Sequence, residues 1–186
     1  MIERRLALAT IAAFISIPAL SQTRPGDSND AEYMKKTLAT GSLALATSKL
    51  ALQKANHPKV KEFGEFEVAE QETVADVLNS LKSGQATGQI RSPSEAEVKQ
   101  NLTPEGTQEL QKLQAVSGAA FDEAYVQGQT KGHRLLLTTQ EEYLQDGKNP
   151  SALSVAKLAR AQIKEHLQLL ADIDGELKGH TAERAR

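Results

Sequence analysis

Two histidines and two glutamates are the residues of this chain whose types and spacing could do chemistry. His133 and His166 lie almost equally far from a turn predicted at 146–151. An α-helix rises about 1.5 Å per residue, so in an antiparallel hairpin the two imidazoles would face each other at the same height. Glu67 and Glu70 lie about midway along an earlier predicted helix. Two imidazoles with one or two carboxylates form a nitrogen and oxygen shell that suits Fe, Mn or Zn.

The same four residues also admit a structural interpretation, in which neutral or carboxylate-paired histidines hold the register of the helices. Both glutamates would merely flank the core if the apolar face of their helix turned toward Phe66 or Leu78. A di-iron carboxylate bundle would need a Glu three residues before each histidine, but Thr130 and Ile163 occupy those positions. The sequence therefore favours a structural polar core and keeps a mononuclear metal site as the alternative.

Enzyme motifs are missing from the sequence. The chain contains no G-x-S-x-G, no H-E-x-x-H, no Walker loop and no dinucleotide fingerprint. We therefore predict no catalytic residue and no organic cofactor, and we expect a non-enzymatic protein.

The stretch 121–147 is the element that must position His133. At about 100° per residue it forms a helix with one broad apolar face. A line of polar side chains lies within that face: Asp122, Gln129, His133 and Gln140. On the last predicted helix, Gln162 lies one turn before His166. Burying such groups costs about a few kcal/mol each unless they are paired, so they indicate either a hydrogen-bonded network or a site.

Composition limits the fold and the partners. The chain has 186 residues, of which 39% are hydrophobic and 4% aromatic, and its common residues are strong helix formers. This composition predicts an all-α domain. The absence of Cys excludes disulfides and thiolate metal sites. The net charge of −2, with basic residues scattered along the chain, argues against nucleic acid or an anionic membrane surface as a partner.

The first 21 residues have the pattern of a secretory signal peptide. Arg4 and Arg5 precede an apolar stretch at 6–20, and small residues at Ala19 and Ser21 suit cleavage after Ser21. About 15 apolar residues fall short of the roughly 20 that span a bilayer. We therefore expect an exported, periplasmic protein with no membrane span in its mature form. Residues 22–29 are predicted to be a flexible lead-in.

The remaining pattern predicts four long helices. Turn signals at Asn56 to Pro58 and at 146–151 indicate two antiparallel hairpins. Between the second and third helices we expect about twenty polar, poorly structured residues and then a short helix that begins at Thr103 and Pro104, which suits a long crossover. The predicted helical body covers 30–175, and 176–186 is predicted to be a polar tail.

The residues at 59–78, 121–137 and 156–170 resemble the DUF4142 family over roughly residues 30–175. The resemblance rests on an F-D-x-x-Y-x(7)-H pattern formed by Phe121, Asp122, Tyr125 and His133, and on His166 in the last helix. It implies a bacterial, mostly exported protein with a ferritin-like four-helix bundle, and it implies no established reaction.

The chain departs from the family pattern in two places. Many members have Asp-His where this chain has Glu70 and Gln71, and a Glu that often follows the glycine of the first helix is replaced by Leu45 or Ala46. The set of metal ligands is therefore thinner here than in such relatives. We expect a periplasmic helical-bundle protein of unknown ligand with an envelope or stress-associated role. The alternative is a metal-binding or redox protein that uses His133, His166, Glu67 and Glu70; no partner or oligomeric state is predicted.

Overall fold

The computed structural model describes residues 25–184, with the side chains of residues 28–179. These residues form six helices and no strand, so the all-α prediction is confirmed for them. The helices are α1 (Pro25–Lys54), α2 (Pro58–Ser83), α3 (Glu95–Asn101), α4 (Pro104–Ala115), α5 (Ala119–Asp146) and α6 (Pro150–Arg184). Within this part of the chain, every helix is too short or too polar to cross a membrane. The predicted signal segment 1–21 lies outside the described residues.

Proline and side-chain caps set the starts of the helices. Pro104 is the first residue of α4, and the hydroxyl of Thr103 accepts a hydrogen bond from the amide of Gly106, as the sequence predicted. α6 begins at Pro150, and the Asn149 side chain accepts from two backbone amides of its first turn. Proline suits these positions because the first turn of a helix leaves its amides without internal partners.

The four long helices pack side by side, with α1 against α2 and α5, and α6 against α5 and α2. The short turns make α1 and α2 antiparallel, and α5 and α6 antiparallel. Hydrogen bonds from Tyr33 to Gln140 and between Ser48 and Tyr125 show that α1 and α5 also run in opposite directions. α2 and α5 therefore run parallel and face each other across the core.

The connection from α2 to α5 is more ordered than the sequence predicted. The polar stretch before Thr103 was expected to be irregular, but it contains α3. Ser94 and Glu97 form a reciprocal capping box at its start, which satisfies amides at the helix start locally without burying apolar side chains. Both α3 and α4 pack against α1, and Asn101 donates a hydrogen bond to Ser42.

Both predicted ends of the helical body are wrong. α1 begins at Pro25, so the second half of the predicted lead-in 22–29 is helical, since Pro25 fixes a helix-compatible φ in the first turn. α6 continues to Arg184, so most of the predicted tail 176–186 is helical too. Leu177 is buried in the core, and its packing extends the last helix beyond the predicted end.

Two apolar clusters lie on either side of a polar layer. The larger cluster includes Phe63, Tyr125 and Leu170, and the smaller one includes Tyr33, Leu78, Tyr143 and Ala156. On α2, α5 and α6 the residues between the two clusters include Glu67, His133 and His166, all of them buried. These three side chains therefore lie in the interior with apolar packing above and below them.

Candidate metal centre

Three helices bring one donor atom each to a single point in the core. Oε1 of Glu67 on α2 lies 3.1 Å from Nε2 of His133 on α5 and 2.9 Å from Nδ1 of His166 on α6. The two imidazole nitrogens are 3.0 Å apart. Equal spacing from the turn predicted that the histidines would meet, and the structure brings them together. Among the described residues, these three form the group whose donor atoms could hold one metal ion.

The outer nitrogen of each imidazole is anchored, and this determines the tautomer. Nδ1 of His133 lies 2.8 Å from the carbonyl oxygen of Gln129, which can only accept, so this nitrogen carries the proton. Nε2 of His166 lies 3.1 Å from the Glu70 carboxylate and donates to it in the same way. Such outer hydrogen bonds are typical of metal-binding histidines, because they direct the other nitrogen's lone pair toward the ion.

The electrostatics of the group are those of a buried ion pair. Burial raises the pKa of the Glu67 carboxyl, but the adjacent imidazoles of His133 and His166 outweigh burial and lower this pKa to about 2. Burial lowers the pKa of His166, but its bonds to Glu67 and Glu70 outweigh burial and raise this pKa to about 9. Without a metal, a proton on His166 therefore balances the charge of Glu67.

The two glutamates occupy different places. Glu67 is fully buried while Phe66 is 50% exposed, so the interpretation in which Glu67 only flanks the core is wrong. Glu70 lies at the rim, half-buried, and contacts His166 from the outside. The second oxygen of Glu67 accepts a long hydrogen bond of 3.4 Å from Gln71. Glu67 is thus positioned to bind a metal directly, and Glu70 is positioned to orient a ligand.

The predicted polar side chains other than His133 do not form one site. Asp122, at the start of α5, accepts hydrogen bonds of 3.0 and 2.9 Å from the amides of Asn56 and His57 in the turn between α1 and α2. The Gln129 amide donates to Ala44, Thr47 and Ser48 of α1. Gln140 accepts from Tyr33 and donates to Thr37. Gln162 is half-buried beside the donor group. Gln140 and Gln162 thus line the cavity beside the donors, whereas Asp122 and Gln129 serve helix packing.

Sequence reasoning missed the residues of α1 that support this layer. Tyr33 and Tyr143 stack with ring centroids 3.9 Å apart. Gly41 lies where an added Cβ would come within 2.5 Å of the Gln71 side chain, so the glycine makes room for Gln71 beside Glu67. The apolar spacing of α1 indicated a close helix contact at Gly41, but the identity of the neighbour depends on how α1 and α2 are rotated.

The walls of the centre differ in polarity. The Phe63 ring lies 5.9 Å from His133 and 5.2 Å from His166, measured between centroids, and gives an apolar wall. A cavity of about 20 Å³ lies on the other side, next to the three donor residues. A larger cavity of about 350 Å³ between α1, α4 and α5 contains none of the three donors, so we assign the chemistry to the small cavity.

The fold is similar to that of three solved structures. A DUF305 fragment from Deinococcus radiodurans superposes with a TM-score of 0.65 at 14% identity, over 82% of this chain and 99% of that one. A DUF305 protein from Streptomyces coelicolor gives 0.64 at 14% identity, over 81% and 94%. CopM in its Cu(I)-bound form gives 0.60 at 14% identity, over 77% and 93%. At this identity the likeness shows the shared helical fold.

The sequence profile of one family covers most of the chain. No curated protein matches this chain in sequence. The DUF4142 profile, described as a domain of unknown function, matches residues 16–173, which include all three donor residues and Glu70. The chain therefore belongs to the DUF4142 family.

Proposed function

We propose that this protein is a non-enzymatic metal-binding protein of the bacterial envelope, which holds one transition-metal ion between Glu67, His133 and His166. The observation that supports this proposal is the convergence of three donor atoms within 3.1 Å of one another. Both histidines have their outer nitrogen anchored, so each directs its inner nitrogen to the same point as the Glu67 oxygen.

The spacing of the donors suits an ion. With metal–ligand bonds of about 2.0 to 2.2 Å, neighbouring ligands at angles of about 90° to 110° lie roughly 2.8 to 3.6 Å apart. The three donor separations of 2.9, 3.0 and 3.1 Å fall within this range. Two imidazoles and one carboxylate suit Fe, Mn or Zn.

The donor chemistry argues against Cu(I) as the preferred ion, although the structure of CopM contains it. Cu(I) prefers soft thiolate and thioether ligands. This chain has no Cys and two Met in all, and the donors that converge are nitrogen and oxygen atoms. We therefore carry over from CopM the fold and not the metal.

The setting of this centre is a ferritin-like four-helix bundle in which α1, α2, α5 and α6 are the bundle helices and residues 84–118 are the long crossover. Ferritin-like di-metal sites use two Glu-x-x-His pairs, whereas Thr130 and Ile163 precede the histidines here. We therefore propose a mononuclear site. The signal-peptide pattern of residues 1–21 supports export to the periplasm.

A structural polar core without metal is the competing function of these residues. It is supported by the raised pKa of His166, because a proton on this imidazole satisfies Glu67 and Glu70 at once. The two functions differ in one measurable quantity, the amount of metal that the folded protein retains.

The test is metal analysis of residues 22–186 purified from the periplasm without chelator, followed by equilibrium dialysis against Fe²⁺, Mn²⁺ and Zn²⁺. We expect one equivalent of metal per chain. Glu67→Gln should weaken binding by at least about 100-fold, because even residues outside the ligand set affect affinity by about 10- to 100-fold. Glu72→Gln is the matched control, since Glu72 lies on the same helix and pairs with Lys49 away from the three donors. Less than a tenth of an equivalent in wild type, with every metal, would favour the structural core.

A further inference from the structure

The cavity beside the donor residues limits what else the proposed metal could bind. Its polar walls come from Thr37, Gln71, Gln140 and Gln162. Val74 and Ile163 line it with apolar side chains. Its volume is about 20 Å³. A single water needs roughly 10 to 15 Å³ of such space and two or more polar partners. The cavity thus has room for one water beside the donor atoms, and it supplies the polar groups that this water requires.

We propose that the centre is four-coordinate, with Glu67, His133 and His166 as its protein ligands and one water as the fourth. This inference rests on the proposed function, because it describes the coordination of the same ion. Three protein ligands with one water in the remaining position is an arrangement that Zn²⁺ adopts readily, whereas Mn²⁺ is usually held in six-coordinate oxygen-rich sites.

The geometry of the donors can adapt to this arrangement. A tetrahedral ion with bonds of about 2.05 Å places its ligands about 3.3 Å apart. The donors lie 2.9 to 3.1 Å apart in the hydrogen-bonded group, so each pair needs to separate by only a few tenths of an ångström. Phe63 blocks expansion on one side, which leaves the small cavity as the direction in which the ion and its water are accommodated.

The polar walls have hydrogen-bonding capacity left for a water. The Gln140 amide has two N–H groups and two acceptor lone pairs, and its bonds to Tyr33 and Thr37 use one of each. The Gln71 amide donates to the Glu67 oxygen that faces away from the histidines. These amides hold the water in place, and the volume of about 20 Å³ that Val74 and Ile163 help to line suits a ligand of the size of water.

Co²⁺ is the probe that tests this coordination, because four-coordinate Co²⁺ absorbs visible light far more strongly than six-coordinate Co²⁺. The full mature chain is loaded with Co²⁺, its metal content is measured, and the spectrum is recorded with and without azide. We expect intense visible bands that azide does not change, since azide is larger than the water it would replace. Co²⁺ that is bound with the weak spectrum of a six-coordinate ion would overturn the inference and leave the proposed function standing. Failure to retain Co²⁺ would instead count against the proposed function.

A cavity-enlarging variant tests the size limit. Val74→Ala removes two methyl groups from the cavity wall, so we expect azide to shift its Co²⁺ spectrum in a saturable way. Val60→Ala is the matched control, because Val60 lies on the same helix in the other apolar cluster. If Val74→Ala fails to fold, Ile163→Val enlarges the same cavity by one methyl group. Azide binding of equal strength in wild type and either enlarged variant would show that the cavity imposes no size limit.

Discussion

At the scale of single residues, the charge of Glu67 determines what the centre requires. The carboxylate has no solvent exposure, and its pKa is lowered to about 2, so it remains ionised in the core. A buried negative charge is tolerated only when it is paired and hydrogen-bonded. Either a proton on His166 or a metal ion can supply the balancing positive charge, and both would lie within the same triangle of atoms.

The pH dependence of the metal-free protein follows from this pairing. The pKa of His166 rises from its ordinary value of 6.5 to about 9 on folding. Because the folded state holds this proton more tightly, the resulting stabilisation is fully present below pH 6.5 and is lost as the pH rises through 9. We expect the free energy of unfolding of chelated protein to fall by up to about 3 kcal/mol between pH 6.5 and 9.5, measured with urea.

His166→Gln is the control for this prediction, since it removes the titrating group. The difference between wild type and this variant isolates the contribution of His166 from that of other groups. The lowered pKa of Glu67 arises from the same ion pair, whose stabilisation is also lost as the pH falls below 4.5 toward 2. The two pKa shifts therefore report one contribution to the free energy of unfolding, and the two free energies are not summed. An equal fall in stability in both proteins would contradict the assignment to His166.

The sequence predicts the position of these residues along the helix axes but not the direction of their side chains around those axes. The helical rise is constant, so the distance of His133 and His166 from their shared turn was enough to predict that they meet. Successive side chains along a helix differ in direction by about 100°, and the edge of an apolar face is uncertain by about one residue. Whether Phe66 or Glu67 faces the core on α2 therefore depends on the partner helices, and so does the outward direction of Glu70.

At the scale of elements, α5 connects most parts of the fold. Asp122 near its start holds the turn between α1 and α2, His133 near its middle reaches the centre, and Gln140 near its end bonds to α1. The Asp122 carboxylate also lies at the N-terminus of α2, where the helix dipole favours a negative charge. One helix thus fixes the position of α2, which carries Glu67.

Replacing Asp122 tests this role of α5. Asp122→Ala would leave the amides of Asn56 and His57 without their carboxylate acceptor, and hydrogen bonds to a charged group contribute about 1.5 to 3 kcal/mol each. We expect the free energy of unfolding to fall by at least about 3 kcal/mol, and the amide protons of Asn56 and His57 to exchange faster by NMR. Asp122→Asn keeps one acceptor oxygen and should recover part of the loss.

The exposed Asp146, at the other end of α5, provides the matched control. Asp146→Ala should change the free energy of unfolding by less than about 0.5 kcal/mol, as is usual for surface substitutions. If Asp122→Ala were equally neutral, the turn between α1 and α2 would not depend on α5.

The errors in the predicted elements have local causes. α3 was missed because its stability comes from the capping box of Ser94 and Glu97 and not from an apolar face, which was the signal used for the long helices. The end of α6 was placed too early because Leu177 is a single apolar residue in a polar stretch. Leu177 is buried by residues of the larger apolar cluster that lie on other helices, and the periodicity of α6 alone does not identify these neighbours.

At the scale of the whole molecule, the donors come from both helical hairpins. Glu67 belongs to the hairpin of α1 and α2, whereas His133 and His166 belong to that of α5 and α6. The two hairpins are joined through residues 84–118, which contain α3 and α4. An ion bound to all three side chains would therefore bridge the two halves of the fold at the level between the two apolar clusters.

This bridging predicts a stability that depends on metal concentration. The folded chain holds the three ligands together and the unfolded chain does not, so free metal at 100 times its dissociation constant should add about 2.7 kcal/mol. For a protein of this size we expect the thermal midpoint to rise by roughly 5 to 10 °C in scanning calorimetry, and a chelator should reverse the rise.

His133→Gln should abolish the shift, because it removes one of the three donors. His57→Gln should keep it, because His57 lies in the turn between α1 and α2 and is not one of the donors. A shift of equal size in wild type and His133→Gln would mean that the ion binds elsewhere.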